Sequence, residues 1–414
     1  MMILIKDTLV KDTKSKHHNQ KVDVLIEDGL IKQIGSEISS KDTQVIDAKG
    51  TVLSTGFLDV GTTLNEPGYE HKETLANLCQ SAQAGGYTHL GVFSNTKPII
   101  QHRQQVAALK KASNAVNIIP IPALTEDNKG THLAEMLDMS EEGVNVFSDG
   151  KYSVWHPGIM MKSLQYLQKI DGLVIQKPFD KYLSKDGQMH EAYQSTITGL
   201  KGIPSISETI TIQRDIELLR YTGGKLHFHT ISTKESVRII ADAKKEGLEV
   251  TCDVSVFHLA YTDEAIADFD TNFKLNPPLR EEEDKQVLIA GVLDGTIDYI
   301  VSMHQAQEEE AKKLEFNYAD EGAISLETVF SLLIDVFGNK TEEILSKLKA
   351  YQMLGLEMPI IEEGATANLV VLDFDKKWKY TKSLSRSSNS PLLGKGLKGK
   401  VLYTILNDNV YEVL

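Results

Sequence analysis

The sequence predicts an α/β protein: a (β/α)8 TIM barrel with a small β-sandwich domain built from both chain termini. Three observations lead there. The chain has 414 residues, too many for one ordinary compact core but suited to a large barrel with a satellite. Short apolar runs alternate with helical patterns through its middle, and parallel strands need such crossovers to bring the chain back. Both ends, by contrast, read as successive strands.

At the N-terminal end, Val22-Asp23-Val24-Leu25-Ile26 alternates, Glu27-Asp28-Gly29 turns, and Leu30-Ile31-Lys32-Gln33-Ile34 follows as the second arm of a hairpin. Runs at 45–47 and 51–53 continue the pattern. At the other end, 367–372 and 400–406 are apolar strands, the second closed by Asn407-Asp408-Asn409. We therefore expect residues 1–53 and 356–414 to share one sandwich, with the barrel, 54–355, inserted between them.

Within the barrel segment, strand-like runs fall at 87–93, 116–120, 144–147, 173–175, 225–229, 249–254 and 297–301. Helical patterns fall at 101–111, 133–137, 160–167, 210–219 and 236–245. That many strand–helix units suits a closed barrel better than an open sheet, and places catalytic groups just after the strands.

Composition narrows the function classes. The hydrophobic fraction of 41% and charged fraction of 25% are those of a globular protein. A net charge of −14 disfavours nucleic-acid binding, which needs a basic face. Lys395, Lys398 and Lys400 read as a solvated loop. Cys79 and Cys252 lie too far apart in sequence for a thiolate metal pair and read as buried, reduced thiols. The first ten residues carry Lys6 and Asp7 and no cleavage pattern, and no window approaches the ~18 apolar residues of a membrane span. A cytoplasmic protein with no membrane partner is expected.

Ordered motifs run the length of the chain. Ser54-Thr55-Gly56-Phe57-Leu58-Asp59 leads into Val60-Gly61-Thr62-Thr63-Leu64-Asn65-Glu66-Pro67-Gly68. Then come Gly85-Gly86-Tyr87-Thr88, Asn95-Thr96-Lys97-Pro98, Phe147-Ser148-Asp149-Gly150, and Gly202-Ile203-Pro204 with Glu208. The stretch 226–233, the segment 272–280 and the tail from Ser388-Asn389-Ser390-Pro391 to Gly399 complete the set. The chain resembles the dihydroorotases of the cyclic amidohydrolase superfamily, and the likeness covers nearly all of it. That resemblance implies the barrel and the sandwich shared by both termini.

It also implies metal chemistry. Opening a cyclic amide needs a strong nucleophile at neutral pH, and a bound divalent metal supplies one by lowering the pKa of water. Imidazoles and carboxylates hold such a metal, and an acidic residue moves the proton. Carried over residue by residue, the family's ligand histidines fall on Gly61, Thr63, Gln176 and Thr230, and its catalytic aspartate on Met303. Asp149 matches the bridging acidic position in a segment one residue short. The carboxylate clamp falls on Asn65 where the family has arginine, on the retained Asn95, and on Gln307 where it has histidine. Asn276 matches another substrate-contacting asparagine. Threonine, glycine and glutamine are poor replacements for imidazole, so no metal is expected, with zinc the candidate if a displaced site exists. His227, His229, His258 and His304 lie beside ligand or substrate positions and read as structural histidines; strand alternation turns His229 away from the side Thr230 faces.

The losses fall on chemical positions while barrel-building segments persist, so the resemblance is to the metal-site-degenerate, non-catalytic homologues. Three functions follow. The first is a scaffold or regulator of aspartate transcarbamoylase in pyrimidine biosynthesis, a homo-oligomer by family precedent. The second is an active dihydroorotase or related cyclic amidohydrolase with a displaced metal site. The third is a binding protein that uses the old pocket for another small molecule.

Overall fold

The computed structural model describes residues 2–40, 43–112 and 115–413; Met1 and Leu414, the ends of the expected sandwich segments, lie outside them. The N-terminal strands are β1 (Met2–Val10), β2 (Lys21–Glu27), β3 (Leu30–Gly35), β4 (Gln44–Asp47) and β5 (Val52–Thr55). Eight parallel strands then build the barrel: β6 (Phe57–Thr62), β7 (Tyr87–Phe93), β8 (Asn117–Ile121), β9 (Val146–Ser148), β10 (Leu173–Gln176), β13 (Lys225–Phe228), β14 (Val250–Ser255) and β15 (Tyr299–Val301). A short pair, β11 (Met189–His190) and β12 (Gly202–Ile203), branches from the loop after β10. The chain ends in β16 (Asn368–Lys379), β17 (Gly396–Leu406) and β18 (Asn409–Glu412).

The two ends meet in one sheet, ordered β18-β17-β16-β5-β1-β2-β3 with β4 against β1. The junction is the antiparallel pair β16–β5, where Val370 faces Ser54 and Val371 faces Leu53. Asn368-Leu369-Val370-Val371-Leu372 is buried throughout, as a strand covered on both faces must be. One side of this sheet forms its own apolar cluster around Ile3, Ile5, Val24, Ile26, Leu369 and Val371.

The barrel strands form two parallel arcs, β6-β7-β8 and β9-β10-β13-β14-β15. Side chains and backbone join the arcs. Asp59 on β6 accepts from the Ser302 backbone N–H (2.7 Å) and hydroxyl (2.6 Å) just after β15. Ser148 N–H donates to the Pro122 carbonyl (3.0 Å) between β8 and β9. The helices outside follow apolar spacing. In Lys234–Lys245, Val237, Ile240 and Ala243 face inward, the Thr233 hydroxyl caps the Ser236 N–H, and Glu235 and Lys244–Lys245 match the helix dipole.

Two local expectations shift. The helix expected at 133–137 forms at Met136–Ser140. The strand expected to reach 229 stops at Phe228, because Thr230 adopts a left-handed backbone with φ of 56°. Cys79 and Cys252 are both buried and are not joined to each other. Among the described residues no helix is long and apolar enough to cross a membrane.

Candidate active site at the barrel mouth

The C-terminal ends of the strands enclose a cavity of about 250 Å3. Gly61, Thr63, Phe93, Lys177, His229, Asn276 and Met303 line it, with Gly150, Lys151 and Glu321 among the loop residues around them. So three of the degenerate positions, Gly61, Thr63 and Met303, do converge at the mouth, together with Asn276. Thr230 reaches it through its hydroxyl, which accepts a hydrogen bond from Lys177 Nζ.

The other sequence-selected residues are engaged elsewhere. The Gln176 side chain accepts from Val154 N–H (3.0 Å) and donates to the Val154 carbonyl (3.2 Å) and Asp215 (2.9 Å), so it braces the loop after β9. Asp149 accepts from the backbone of Leu124 (3.1 Å) and Thr125 (2.8 Å) and from the Thr125 hydroxyl (2.5 Å). Burial nevertheless pushes its carboxyl up to about 6, against those hydrogen bonds. Asn95 accepts from Lys151 N–H (2.9 Å) and donates to the Asp149 carbonyl (3.1 Å), which fixes the loop after β9. Gln307 accepts from Lys72 Nζ (2.6 Å) and donates to the Glu321 carbonyl (2.6 Å). Asn65 is buried, and among the described residues its amide nitrogen has no hydrogen-bond partner. Of the clamp positions Asn65, Asn95 and Gln307, none lines the cavity.

The histidines divide into two kinds. His304 is structural: it meets Glu73 at 2.8 Å, and its other nitrogen accepts from Ser325 N–H (3.2 Å). His258 meets the Pro277 carbonyl at 3.1 Å, and burial pushes it down to about 4. His227 and His229 converge instead on Asp253, a residue that sequence reasoning missed. Asp253 Oδ2 lies 2.8 Å from His227 Nε2 and 2.8 Å from His229 Nδ1, while Oδ1 accepts from Thr230 N–H (2.6 Å). Burial pushes Asp253 up, but His229 and His227 outweigh it and hold the carboxylate below its ordinary range. Burial lowers His229, with Asp253 opposing. The expectation that His229 faces away from the ligand side is thus corrected. The left-handed turn at Thr230 ends the alternation; His229 lines the cavity, and Thr230 meets it through Lys177.

Lys177 is the second residue missed. It follows β10 directly, and its Nζ donates to Thr230 Oγ1 and to the Asn276 carbonyl (2.8 Å). Burial pushes the ammonium down to about 8, against the pull of Asp253, Glu208 and Glu321.

A zinc ion can be tested against these donors. At the family's own positions the glycine and methionine side chains offer no hard donor, Gln176 is turned away, and Thr230 is occupied by an ammonium. His227, His229 and Asp253 do form a cluster of the right residue types, with candidate ligand atoms within 4.8 Å of one another. Metal–ligand bonds of ~2.1 Å in a tetrahedron set ligand atoms ~3.4 Å apart. The 2.8 Å separations to Asp253 are those of N–H···O hydrogen bonds, and His227 and Asp253 are wholly buried, with His229 alone of the three lining the cavity. As arranged, these residues do not fit a catalytic zinc.

Comparison with known proteins supplies the family. A profile described as "Dihydro-orotase-like" matches residues 50–236. The chain is 38% identical to a protein named dihydroorotase from Caldicellulosiruptor saccharolyticus, covering 99% of this chain and 98% of that one. It is 37% identical to one from Caldanaerobacter subterraneus subsp. tengcongensis, covering 99% and 97%. Among solved structures, the L-hydantoinase from Arthrobacter aurescens superposes with a TM-score of 0.83 at 21% identity, covering 99% and 95%, which supports the barrel fold. The relatives' names fit a working cyclic amidohydrolase, the second reading above, better than a non-catalytic regulator. With full-length identity at this level, the chain belongs to the dihydroorotase family of the amidohydrolase superfamily.

Proposed function

We propose that this dihydroorotase-family chain binds a small ligand at its barrel mouth without metal-dependent ring hydrolysis. One observation carries the reading. The His229 ring lies against Gly61 and the Lys177 ammonium bonds Thr230, two positions where the resemblance would put ligand histidines, while Thr63 and Met303 beside them add no imidazole or carboxylate. Likeness over the whole chain reflects mostly barrel and sheet residues, whereas hydrolysis turns on a handful of positions. Relatives can therefore share a name and a fold with this chain while these positions differ.

The test is direct. Purified protein is assayed for bound metal and for dihydroorotate hydrolysis, with and without added zinc, manganese or cobalt, beside an active dihydroorotase. No turnover is expected: metal-activated water contributes several kcal/mol of barrier lowering, and proton transfer at the Met303 position a further ~10²–10⁴-fold in rate. Chelator-sensitive turnover by the wild-type protein would overturn the reading.

The second reading, a hydrolase with a displaced metal, is favoured by the relatives' names and by the His227–His229–Asp253 cluster. It requires the hydrogen bonds to Asp253 to give way to coordination, so stoichiometric zinc lost on His227→Ala is its signature. The scaffold role rests on the resemblance alone. In that role the partner is aspartate transcarbamoylase and the chain is a homo-oligomer; co-purification and sedimentation velocity test both.

A further inference from the structure

We propose that the cleft between the barrel helix Val329–Phe337 and the C-terminal strands β16–β18 is a second ligand site, shaped for a small zwitterion with an apolar body, the chemistry of an apolar amino acid. It lies away from the barrel mouth and stands whatever that mouth binds.

The cleft has a volume of about 390 Å3, within the ~300–1,000 Å3 of small-molecule sites. Its acid is Glu327, just before the helix. Glu327 Oε1 accepts from the Ser383 hydroxyl (2.7 Å), the Tyr380 hydroxyl (3.0 Å) and Leu384 N–H (3.1 Å), all neutral donors. Among the described residues Oε2 has no hydrogen-bond partner, and no lysine or arginine stands within ion-pair distance of the carboxylate. The charged group that acts on it is His304, whose ring is already bonded to Glu73 at 2.8 Å. Burial pushes the Glu327 carboxyl above its ordinary range, against its hydrogen bonds. A carboxylate withdrawn from water gains most from a charged donor, and the chain brings none to Oε2.

The walls and rim complete the ligand. Phe330, Trp378, Tyr380 and Tyr411 line the cleft with aromatic rings. The indole is fixed: Trp378 Nε1 donates to the Gly399 carbonyl (2.9 Å), and the ring packs edge-on to Tyr380 with centroids 5.8 Å apart. Such rings accept an apolar body, and their faces attract an ammonium. Lysines mark the rim. Lys379 and Lys382 are exposed beside it. Lys400, read from sequence as part of a solvated loop, is instead half-buried, with Nζ 5.6 Å from the Trp378 ring centroid. Glu412 is the other carboxylate of the lining, exposed and bonded by the Tyr403 hydroxyl (3.1 Å). A lone cation would therefore meet the rim lysines, and a lone anion would meet Glu327. A molecule that carries both charges satisfies each end, with its apolar part against the rings.

The experiment removes one charge at a time from a single shape. Wild-type protein is titrated calorimetrically with L-phenylalanine, phenethylamine and 3-phenylpropionate. Phenylalanine is expected to bind, and loss of either charged group to weaken binding about tenfold or more. Glu327→Gln should weaken phenylalanine to a similar degree and leave 3-phenylpropionate unchanged. The exposed pair Lys379→Met with Lys382→Met should weaken phenylalanine and leave phenethylamine unchanged. A further measurement needs no variant to bind: the chain has two tryptophans, and phenylalanine should shift the indole N–H NMR signal of Trp378, identified by its absence from Trp378→Phe, and not that of Trp155. Absence of phenylalanine binding, equal binding of the amine or the acid, unchanged affinity in Glu327→Gln, or an unmoved Trp378 signal would each overturn the proposal. None of these outcomes bears on hydrolysis or metal at the barrel mouth.

Discussion

Gly61→Ala is the sharpest probe of what now fills the old metal space. The position has two constraints. Its backbone is left-handed, φ 84°, where any side chain costs about 1–2 kcal/mol. A Cβ there would also lie 2.6 Å from His229 Nε2 and 2.8 Å from Phe93 Cε2. The His229 ring has little room to retreat, because Nδ1 is tied to Asp253 and the ring packs edge-on against Phe93. Overpacking of this kind costs about 1–3 kcal/mol, so the substitution should destabilise by roughly 2–5 kcal/mol in all. At ~2.1 cal/mol/K of unfolding entropy per residue, that is a fall of ~2–6 °C in Tm for a chain of this length melting in one transition.

A control and a cycle isolate the steric part. Gly50 has a similar φ of 80° but nothing within 4 Å of its would-be Cβ, so Gly50→Ala reports backbone strain alone. In a His229→Ala background the part of the overpacking due to the imidazole should vanish while the contact with Phe93 remains, leaving a coupling of about 1–3 kcal/mol between the two sites. Denaturant titration of the four proteins measures it. If Gly61→Ala costs no more than Gly50→Ala, or costs the same with and without His229, the claim that this ring occupies the metal space is wrong.

Restoring the catalytic acid alone, Met303→Asp, should give no dihydroorotate turnover; the smallest set with a chance changes Gly61, Thr63, Gln176 and Thr230 to His with Asn65→Arg and Met303→Asp, and activity from the single change would refute the analysis. Asp253→Asn should destabilise by about 2–5 kcal/mol, since an amide cannot accept from both imidazoles and Thr230 N–H as the carboxylate does; an unshifted urea midpoint would contradict it. Glu208→Ala should cost about 3–5 kcal/mol, because Glu208 accepts from the backbone of Ser232 (2.9 Å) and Thr233 (3.1 Å) and from the Ser236 hydroxyl (2.6 Å) beside the buried Arg280. In acid, the buried His89, His190 and His258 are pushed down to about 4, so the unfolded chain binds protons first and stability falls as pH drops from ~6.5 towards 4. Asp149 and Asp263, raised to about 6, oppose this because the native state binds their protons first. His89, His190 and His258 are each expected to take up a proton on urea unfolding at pH 5, followed by their ring NMR shifts, and native rings already protonated at that pH would show the sign to be wrong.

Much of the architecture was legible because each barrel strand is an apolar run closed by a turn signal; the run at 87–93 became β7 without adjustment. The degenerate positions were legible only as positions in a motif. Gly61, Thr63 and Met303 reached the mouth because their backbone places them there, whatever their side chains. Gln176 and Asn95 did not, because an amide carries both donors and acceptors and is captured by nearby backbone, which no motif records.

The decisive residues escaped for physical reasons. Lys177 sits beside a ligand position and reads in sequence as a charge for solvent, yet the fold buries it over the strand ends. Asp253 belongs to no motif, but a signal for it existed. His227 lies on β13 with His229 one residue past its end, and Thr251 and Asp253 alternate on β14, with His227 opposite Thr251 in register. Polar residues at matching alternate positions on adjacent, otherwise apolar barrel strands must face one another in the interior, where each needs a partner. Once Asp253 is placed there, the neighbouring histidines become its hydrogen-bond donors. The ring of His229 is then held across the space Gly61 leaves open, and replacing a single missing ligand cannot rebuild the site while that ring remains.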